Sequence, residues 1–216
     1  MTGQDPDDTW MTTVDGIFID IHSELRSFND VLRFFRRVEQ DFDRKEYCNG
    51  RNAGGRWIYQ IYSKEFITDL TTLIHSIQSG NGNDGPILEV MAGDGRLTHF
   101  LQPLLSQRII PTDAKTSRDG IEFPKGMEKV EALEAIRKHN PSLILMSWEP
   151  FYSDTSQSII EKDVPFVWIG DPNSCAASSN IHQMEYDIHD SPFLLGRHDD
   201  FTRGEFRTAV RIFNRP

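Results

Sequence analysis

Residues 86–101, which read PILEVMAGDGRLTHFL, limit the possible fold of this chain more than any other stretch. Residues 87–90 are a mainly apolar run with β-branched members, which is typical of a strand buried on both faces of a sheet. A turn of small residues follows at 92–95, and apolar side chains then recur at helical spacing from Leu97 to Leu104. Strand, glycine-rich turn and helix in this order predict an open α/β sheet whose turn approaches a ligand, because glycine permits close approach of the backbone.

Composition sets the broad class of the protein. The chain has 216 residues and a formal net charge of -10, with 33 acidic against 23 basic side chains. This predicts one generous domain, or a domain with an extension, and disfavours a protein that mainly binds the phosphates of nucleic acid. Two cysteines and the absence of a zinc-like Cys/His spacing predict neither a disulfide framework nor a bound metal. The polar N-terminus and the lack of a long apolar run predict a soluble, cytoplasmic protein that does not enter a membrane.

The neighbours of the turn indicate which nucleotide it serves. A dinucleotide-binding turn requires a third glycine where this chain has Thr98, and no phosphate-loop lysine follows. Instead an acidic residue, Glu89, ends the strand four residues before Gly93. Residues 89–95, EVMAGDG, resemble the first motif of the class I S-adenosylmethionine (SAM)-dependent methyltransferases, an acidic residue followed by the pattern E-x-G-x-G-x-G. Two of the three glycines match, and Met91 stands at the first.

This resemblance implies an α/β fold with a Rossmann-like, seven-stranded, mostly parallel sheet, a C-terminal antiparallel hairpin and helices on both faces. The sequence offers further strands at matching places. They are expected at residues 108–111, in a weak run ending at Val130, at 142–147 and 165–170, and in a closing hairpin with arms 193–195 and 206–213.

The N-terminal part is predicted to be helical. Apolar residues at helical spacing predict helices over residues 23–47 and 63–78, and Ser63 is the expected N-cap of the second. A connector rich in Gly and Asn follows. We therefore expect residues 1–79 to form a helical extension or lid and residues 80–216 to form the SAM-binding domain.

The cofactor residues follow partly from the residues and partly from the resemblance. Asp113 ends the predicted second strand, where a carboxylate can accept hydrogen bonds from both ribose hydroxyls. The resemblance places Glu131 near the adenine amine, Tyr62 over the methionine end, and Glu89 where it fixes the turn and reaches toward the methionine amino group. The complete predicted set is Glu89, Ala92, Gly93, Asp94, Gly95, Asp113, Ala114, Glu131, Ala132, Ser147 and Tyr62.

Three residues after the predicted fourth strand are the candidates for catalysis. Ligands of doubly wound sheets lie at the carboxyl ends of the strands, so Trp148, Glu149 and Tyr152 are expected to face the methyl group and the acceptor. An aromatic ring can stack there, and a carboxylate can orient the nucleophile or take its proton. Cys175 is interpreted as a packing residue, and the seven histidines as structural or exposed.

The sequence thus predicts an enzyme that transfers methyl by SN2 attack on SAM, with a small molecule as the expected acceptor. A non-catalytic SAM-binding or structural Rossmann-like module remains an alternative, because Met91 replaces a glycine. A second alternative is a methyltransferase that acts on nucleic acid or protein, and the net charge disfavours nucleic acid as the acceptor. A third alternative is a nicotinamide dehydrogenase, which Thr98 disfavours because it replaces the third glycine of a dinucleotide-binding turn. The sequence does not define the oligomeric state.

Overall fold

The apolar runs of the sequence form the strands of one central sheet in the computed structural model, which describes residues 6–114, 126–176 and 180–216. The strands are β1 Gln60–Ile61, β2 Ile87–Val90, β3 Ile109–Thr112, β4 Leu143–Ser147, β5 Phe166–Gly170, β6 Asp187–His189, β7 Leu195–Gly196 and β8 Ala209–Phe213. Of these, β1 and β7 pair with each other in a separate two-stranded sheet. The helices are α1 Phe28–Asp41, α2 Arg44–Cys48, α3 Lys64–Ser79, α4 Arg96–Leu101, α5 Ala132–His139 and α6 Thr155–Ile160, with short 3-10 turns at Pro6–Met11, Gln102–Leu104 and Asn180–Gln183.

The central sheet is mostly parallel, as predicted. Its strand order is β3-β2-β4-β5-β8-β6, and only β8 runs antiparallel to its neighbours. Val90 at the end of β2 lies opposite Thr112 of β3 on one side and Met146 of β4 on the other. The carboxyl ends of these strands therefore meet at one edge, with β2 and β4 at the point where the strand order reverses.

Helices cover both faces of the sheet because successive strand residues point to opposite sides. On β2, Ile87 packs in a cluster with α3 and α4, whereas Leu88 and Val90 pack with α5 and α6. A third apolar cluster lies mainly in residues 6–62, the N-terminal segment, and includes α1, α2 and Leu195 of β7. α3 lies before residue 79 but packs in the core of the sheet. The predicted division into an extension, residues 1–79, and a domain, residues 80–216, therefore stays a prediction.

The prediction of seven strands is wrong for the described residues, whose central sheet has six. The run ending at Val130 does not form a strand. It makes a single parallel bridge between Thr112 and Glu128, with backbone bonds from Glu128 to Pro111 and Asp113. Its residues are mostly polar, so a longer strand would bury little apolar surface. Residues 115–125, which precede it, lie outside the described part.

The predicted closing hairpin is also partly wrong. Its second arm is β8, but the partner of β8 is β6, whereas β7 pairs with β1 of the N-terminal segment. β7 pairs with β1 rather than with β8 because Leu195 is buried in the third apolar cluster. The place beside β8 is an edge of the sheet, where Ile188 of β6 is 70% exposed.

The N-terminal helices agree with the sequence except at one start and one break. The first helix begins at Phe28, after the N-cap Ser27, rather than at residue 23. Residues 23–47 divide into α1 and α2 because Asp43 accepts hydrogen bonds from Lys45 N and Glu46 N and starts a new helix. α3 begins as predicted, with Ser63 Oγ accepting from Phe66 N at 3.1 Å. Among the described helices, none has both the length and the apolar character to cross a membrane.

Candidate functional site

A cavity of about 880 Å³ opens at the carboxyl ends of β2 to β5. Every residue predicted for the site lines it, except Gly95. The N-terminal segment supplies another part of the wall through His22, residues 54–60 and Tyr62, and neither α1 nor α2 contributes. The structure thus brings the predicted residues together, and their roles stay predictions until binding is measured.

The glycine-rich turn is shaped by left-handed backbone. Gly93 has a φ of 58° and Gly95 a φ of 70°, which glycine adopts without steric cost. Gly95 N donates to Ala92 O at 2.8 Å, and Gly95 is the N-cap of α4, which explains why it lies behind the wall. Gly93 N donates to Asp113 Oδ2 at 2.9 Å, so the turn and the carboxylate predicted for the ribose are in direct contact.

Met91 also adopts left-handed backbone, with a φ of 53°, at the place where the family pattern has its first glycine. A residue with a Cβ atom pays roughly 1–2 kcal/mol for this conformation. We therefore expect Met91→Gly to be about 1 kcal/mol more stable than Met91→Ala, because both lose the same packing and only glycine relieves the strain. Denaturant unfolding of the two variants measures this difference. Equal stabilities would show that the backbone at this position is not strained.

Acidic side chains accept hydrogen bonds from backbone N–H groups at the start of α4. Buried Glu89 accepts a hydrogen bond from Thr98 N at 3.0 Å and another from the Thr98 hydroxyl. Asp94 Oδ1 accepts from Arg96 N at 3.2 Å. A dinucleotide would place its pyrophosphate at such N–H groups. Here acidic side chains take that place, so the turn suits a nucleoside ligand that carries no phosphate. Burial raises the pKa of Glu89 to about 8.

Two ion pairs of Arg56 connect the N-terminal segment to the glycine-rich turn. Arg56 Nε lies 2.8 Å from Asp20 Oδ2, and the same guanidinium contacts the carboxylate of Asp94. The Arg56 side chain is mostly buried between these two acids. This link joins residues 38 positions apart in sequence and closes the cavity over the glycine-rich turn.

The wall near α5 and the wall near α3 hold the remaining cofactor candidates. Glu131 is exposed, lines the cavity and precedes α5 without capping it through its side chain. Tyr62 is buried and packs against His22, with ring centroids 4.9 Å apart and ring planes tilted by 36°. His22 Nε2 accepts from Tyr62 N at 3.1 Å, and burial lowers the pKa of His22 to about 3, so this imidazole is neutral.

The three predicted catalytic residues differ in their surroundings. Trp148 has a φ of 63°, and its indole Nε1 donates to Gln60 Oε1 at 2.9 Å, which fixes the ring against the N-terminal segment. Glu149 is fully buried: Oε1 accepts from Ser153 Oγ at 2.7 Å and Ser156 N at 3.0 Å. Its Oε2 has no hydrogen-bond partner among the described residues. Tyr152 is 76% exposed and lies at the mouth of the cavity.

Sequence reasoning missed one titratable pair in the wall. His198 Nδ1 lies 3.1 Å from Oδ2 of Asp171, a buried acid that directly follows β5. The two residues are 27 positions apart, and His198 is brought to the site by the pairing of β7 with β1, which no local pattern signals. Cys175 lies nearby, and burial raises its pKa to about 12, which agrees with the packing role predicted for it.

In the described ranges no group of three His, Cys, Asp or Glu side chains is arranged to hold a metal ion.

Comparisons with known proteins identify no family. No family model and no curated protein matches this chain. Among solved structures, a Thermoplasma acidophilum protein is 16% identical over 67% of this chain and 86% of its own, with a TM-score of 0.38. A SAM-dependent methyltransferase from Aquifex aeolicus is 9% identical over 71% and 100%, with a TM-score of 0.35. The 16S rRNA methylase ArmA is 11% identical over 88% and 98%, with a TM-score of 0.32. Matches this weak establish neither family nor activity.

Proposed function

We propose that this protein is a SAM-dependent methyltransferase that acts on a small molecule. The observation that carries the proposal is the pair of contacts around the glycine-rich turn. Asp113 lies at the turn through Gly93 N, while Glu89 and Asp94 occupy N–H groups that a pyrophosphate would need. SAM has a ribose that Asp113 could bind and carries no phosphate, so it fits this turn. A nicotinamide dinucleotide is disfavoured, because its pyrophosphate would need the occupied N–H groups.

The residues present can hold each part of SAM. Asp113 and Ala114 would receive the ribose, because a carboxylate at this strand end can accept from both hydroxyls. Glu131 and Ala132 would face the adenine. Glu89 and Tyr62 lie in the wall assigned to the methionine end, and Ala92 to Gly95 with Ser147 complete the floor. When bound, SAM supplies an electrophilic methyl group on a sulfonium.

The chain's own contribution to catalysis is mainly orientation. An SN2 transfer gains most of its rate when the nucleophile is held in line and water is excluded. Trp148, fixed by Gln60, offers a rigid aromatic wall for the acceptor. Glu149 has one oxygen anchored, and the other is buried without a partner among the described residues, so a hydrogen bond from an acceptor group that inserts beside it would satisfy this oxygen. Tyr152 at the mouth would complete the acceptor side.

The shape of the cavity favours a small acceptor. The N-terminal segment reaches the turn through Arg56 and walls the cavity on that side, and a volume of about 880 Å³ is in the range of small-molecule sites. The net charge of -10 also disfavours a nucleic-acid acceptor.

Transfer of a radiolabelled methyl group tests this proposal. The protein is incubated with methyl-labelled SAM and a cell extract separated into small molecules, RNA and protein. We expect label in the small-molecule fraction, reduced about tenfold or more in Glu149→Gln, because a charged hydrogen bond is worth about 1.5–3 kcal/mol. Glu161→Gln, an exposed change at the end of α6, is the control. Label in RNA or protein would overturn the small-molecule acceptor, and SAM binding without transfer to any fraction would favour the non-catalytic module.

A further inference from the structure

The pair of His198 and Asp171 has the geometry of an oriented base. Asp171 is 1% exposed and is itself fixed by hydrogen bonds from Asn173 N and Ser174 Oγ, both at 2.9 Å. Its remaining contact is with His198 Nδ1 at 3.1 Å. A carboxylate that accepts from Nδ1 sets the tautomer of a neutral imidazole and leaves Nε2 as the proton acceptor. No described residue bonds to Nε2, and the His198 side chain is 39% exposed and lines the cavity.

This base lies beside the aromatic wall proposed for the acceptor. The rings of His198 and Trp148 meet edge to face with centroids 5.0 Å apart, and Trp148 lies 6.3 Å from the ring of Tyr59. Flat rings of this kind offer stacking surface to another aromatic ring. The imidazole therefore borders a space suited to a planar molecule.

Charged groups of both signs lie near His198. Arg197 stacks over Tyr59 at 4.7 Å and binds the side chain of Asn49. Asp171, Glu149 and Arg197 all act electrostatically on the Cys175 thiol, and buried Asp199 directly follows His198. These charges do not select the acceptor. What selects it is the base beside aromatic rings, which suits a hydroxyl group on a flat ring, because that group must lose its proton to attack.

We propose that His198 is the catalytic base for the acceptor and that the acceptor is a phenol, that is, a hydroxyl group on a flat aromatic ring. This inference rests on the proposed methyl transfer. The O–H bond of the phenol breaks and its proton passes to Nε2 of His198. The oxygen forms a bond to the methyl carbon as the C–S bond breaks, and the electron pair of that bond stays on sulfur, giving S-adenosylhomocysteine (SAH). Asp171 acts through His198 as a positioning residue.

Two acceptors of different acidity test the role of His198. At mildly alkaline pH phenol keeps its proton, whereas para-nitrophenol is already ionised and needs no base. We expect His198→Asn to lower methyl transfer to phenol by about 100-fold or more, and transfer to para-nitrophenol by only a few-fold. The asparagine amide can still donate to Asp171, so the loop is retained. His189→Asn is the matched control, because His189 forms a similar pair with Asp69, 2.8 Å apart, outside the cavity.

Binding of SAM and SAH to each variant separates this inference from the proposed function. Unchanged binding with the selective loss on phenol supports it. An equal loss on both acceptors, or no transfer to either by a wild-type protein that binds SAM, would overturn the inference and leave methyl transfer standing. Failure of the wild-type protein to bind SAM would overturn both.

Discussion

Replacing Asp113 with asparagine is expected to weaken the binding of SAM and SAH by about 10- to 100-fold. A hydrogen bond to a charged acceptor is worth about 1.5–3 kcal/mol, and the ribose would make such bonds with this carboxylate. Asparagine keeps a carbonyl oxygen that can accept from Gly93 N, now 2.9 Å from the carboxylate, so the turn is expected to persist. The dissociation constants are measured by titration of the purified proteins.

Asp15→Asn serves as the control for this change. Asp15 is exposed and does not line the cavity. Asp15→Asn therefore changes the total charge of the protein by the same amount as Asp113→Asn but leaves the contacts of the turn unchanged. Thermal unfolding of both variants checks that the fold is intact. If wild type and a folded Asp113→Asn variant bind SAM and SAH with equal affinity, Asp113 is not part of the cofactor site.

Replacing Glu89 with glutamine is expected to change how stability depends on pH. Burial raises the pKa of Glu89 from 4.5 to about 8 in the folded protein. Between these values the folded chain holds a proton that the unfolded chain has lost, so the free energy of unfolding falls as pH rises from 4.5 to 8. Glutamine is neutral throughout, so the variant is expected to lack this loss. The difference above pH 8 is on the order of 5 kcal/mol.

Denaturant unfolding at a series of pH values on both sides of this window measures the effect. Thr98 N and the Thr98 hydroxyl both donate to Oε2 of Glu89, and the single carbonyl oxygen of glutamine can accept both bonds, so the start of α4 is preserved. Glu134→Gln, an exposed change on α5, is the control and is expected to follow wild type. Parallel pH profiles for wild type and Glu89→Gln would show that Glu89 ionises normally in the folded protein.

The parts of the fold that the sequence predicted are those with a local signal. β2, β4 and β5 are mainly apolar runs, and Ser63 is a local cap, so each follows from a few neighbouring residues. Strand pairing is not local. The partner of β7 is β1, more than a hundred residues earlier, and β6 exposes Ile188, so no alternation identified either strand.

The same distinction applies to the candidate site. Glu89 and Gly93 were predicted from the resemblance of residues 89–95 to a known motif, and Asp113 from its place at the end of the following strand. The contact of Arg56 with Asp94 and the contact of His198 with Asp171 each join distant loops, and single Arg and His residues in loops carry no signal by themselves. Their roles became visible only when the chain was folded.

Calorimetric titration of the wild-type protein with SAM, SAH and NAD is the most direct test of the central claim. The account predicts that SAM and SAH bind and that NAD does not, because Glu89 and Asp94 occupy the N–H groups that a pyrophosphate needs. Binding of NAD, or no binding of SAM and SAH by a folded protein, would contradict it.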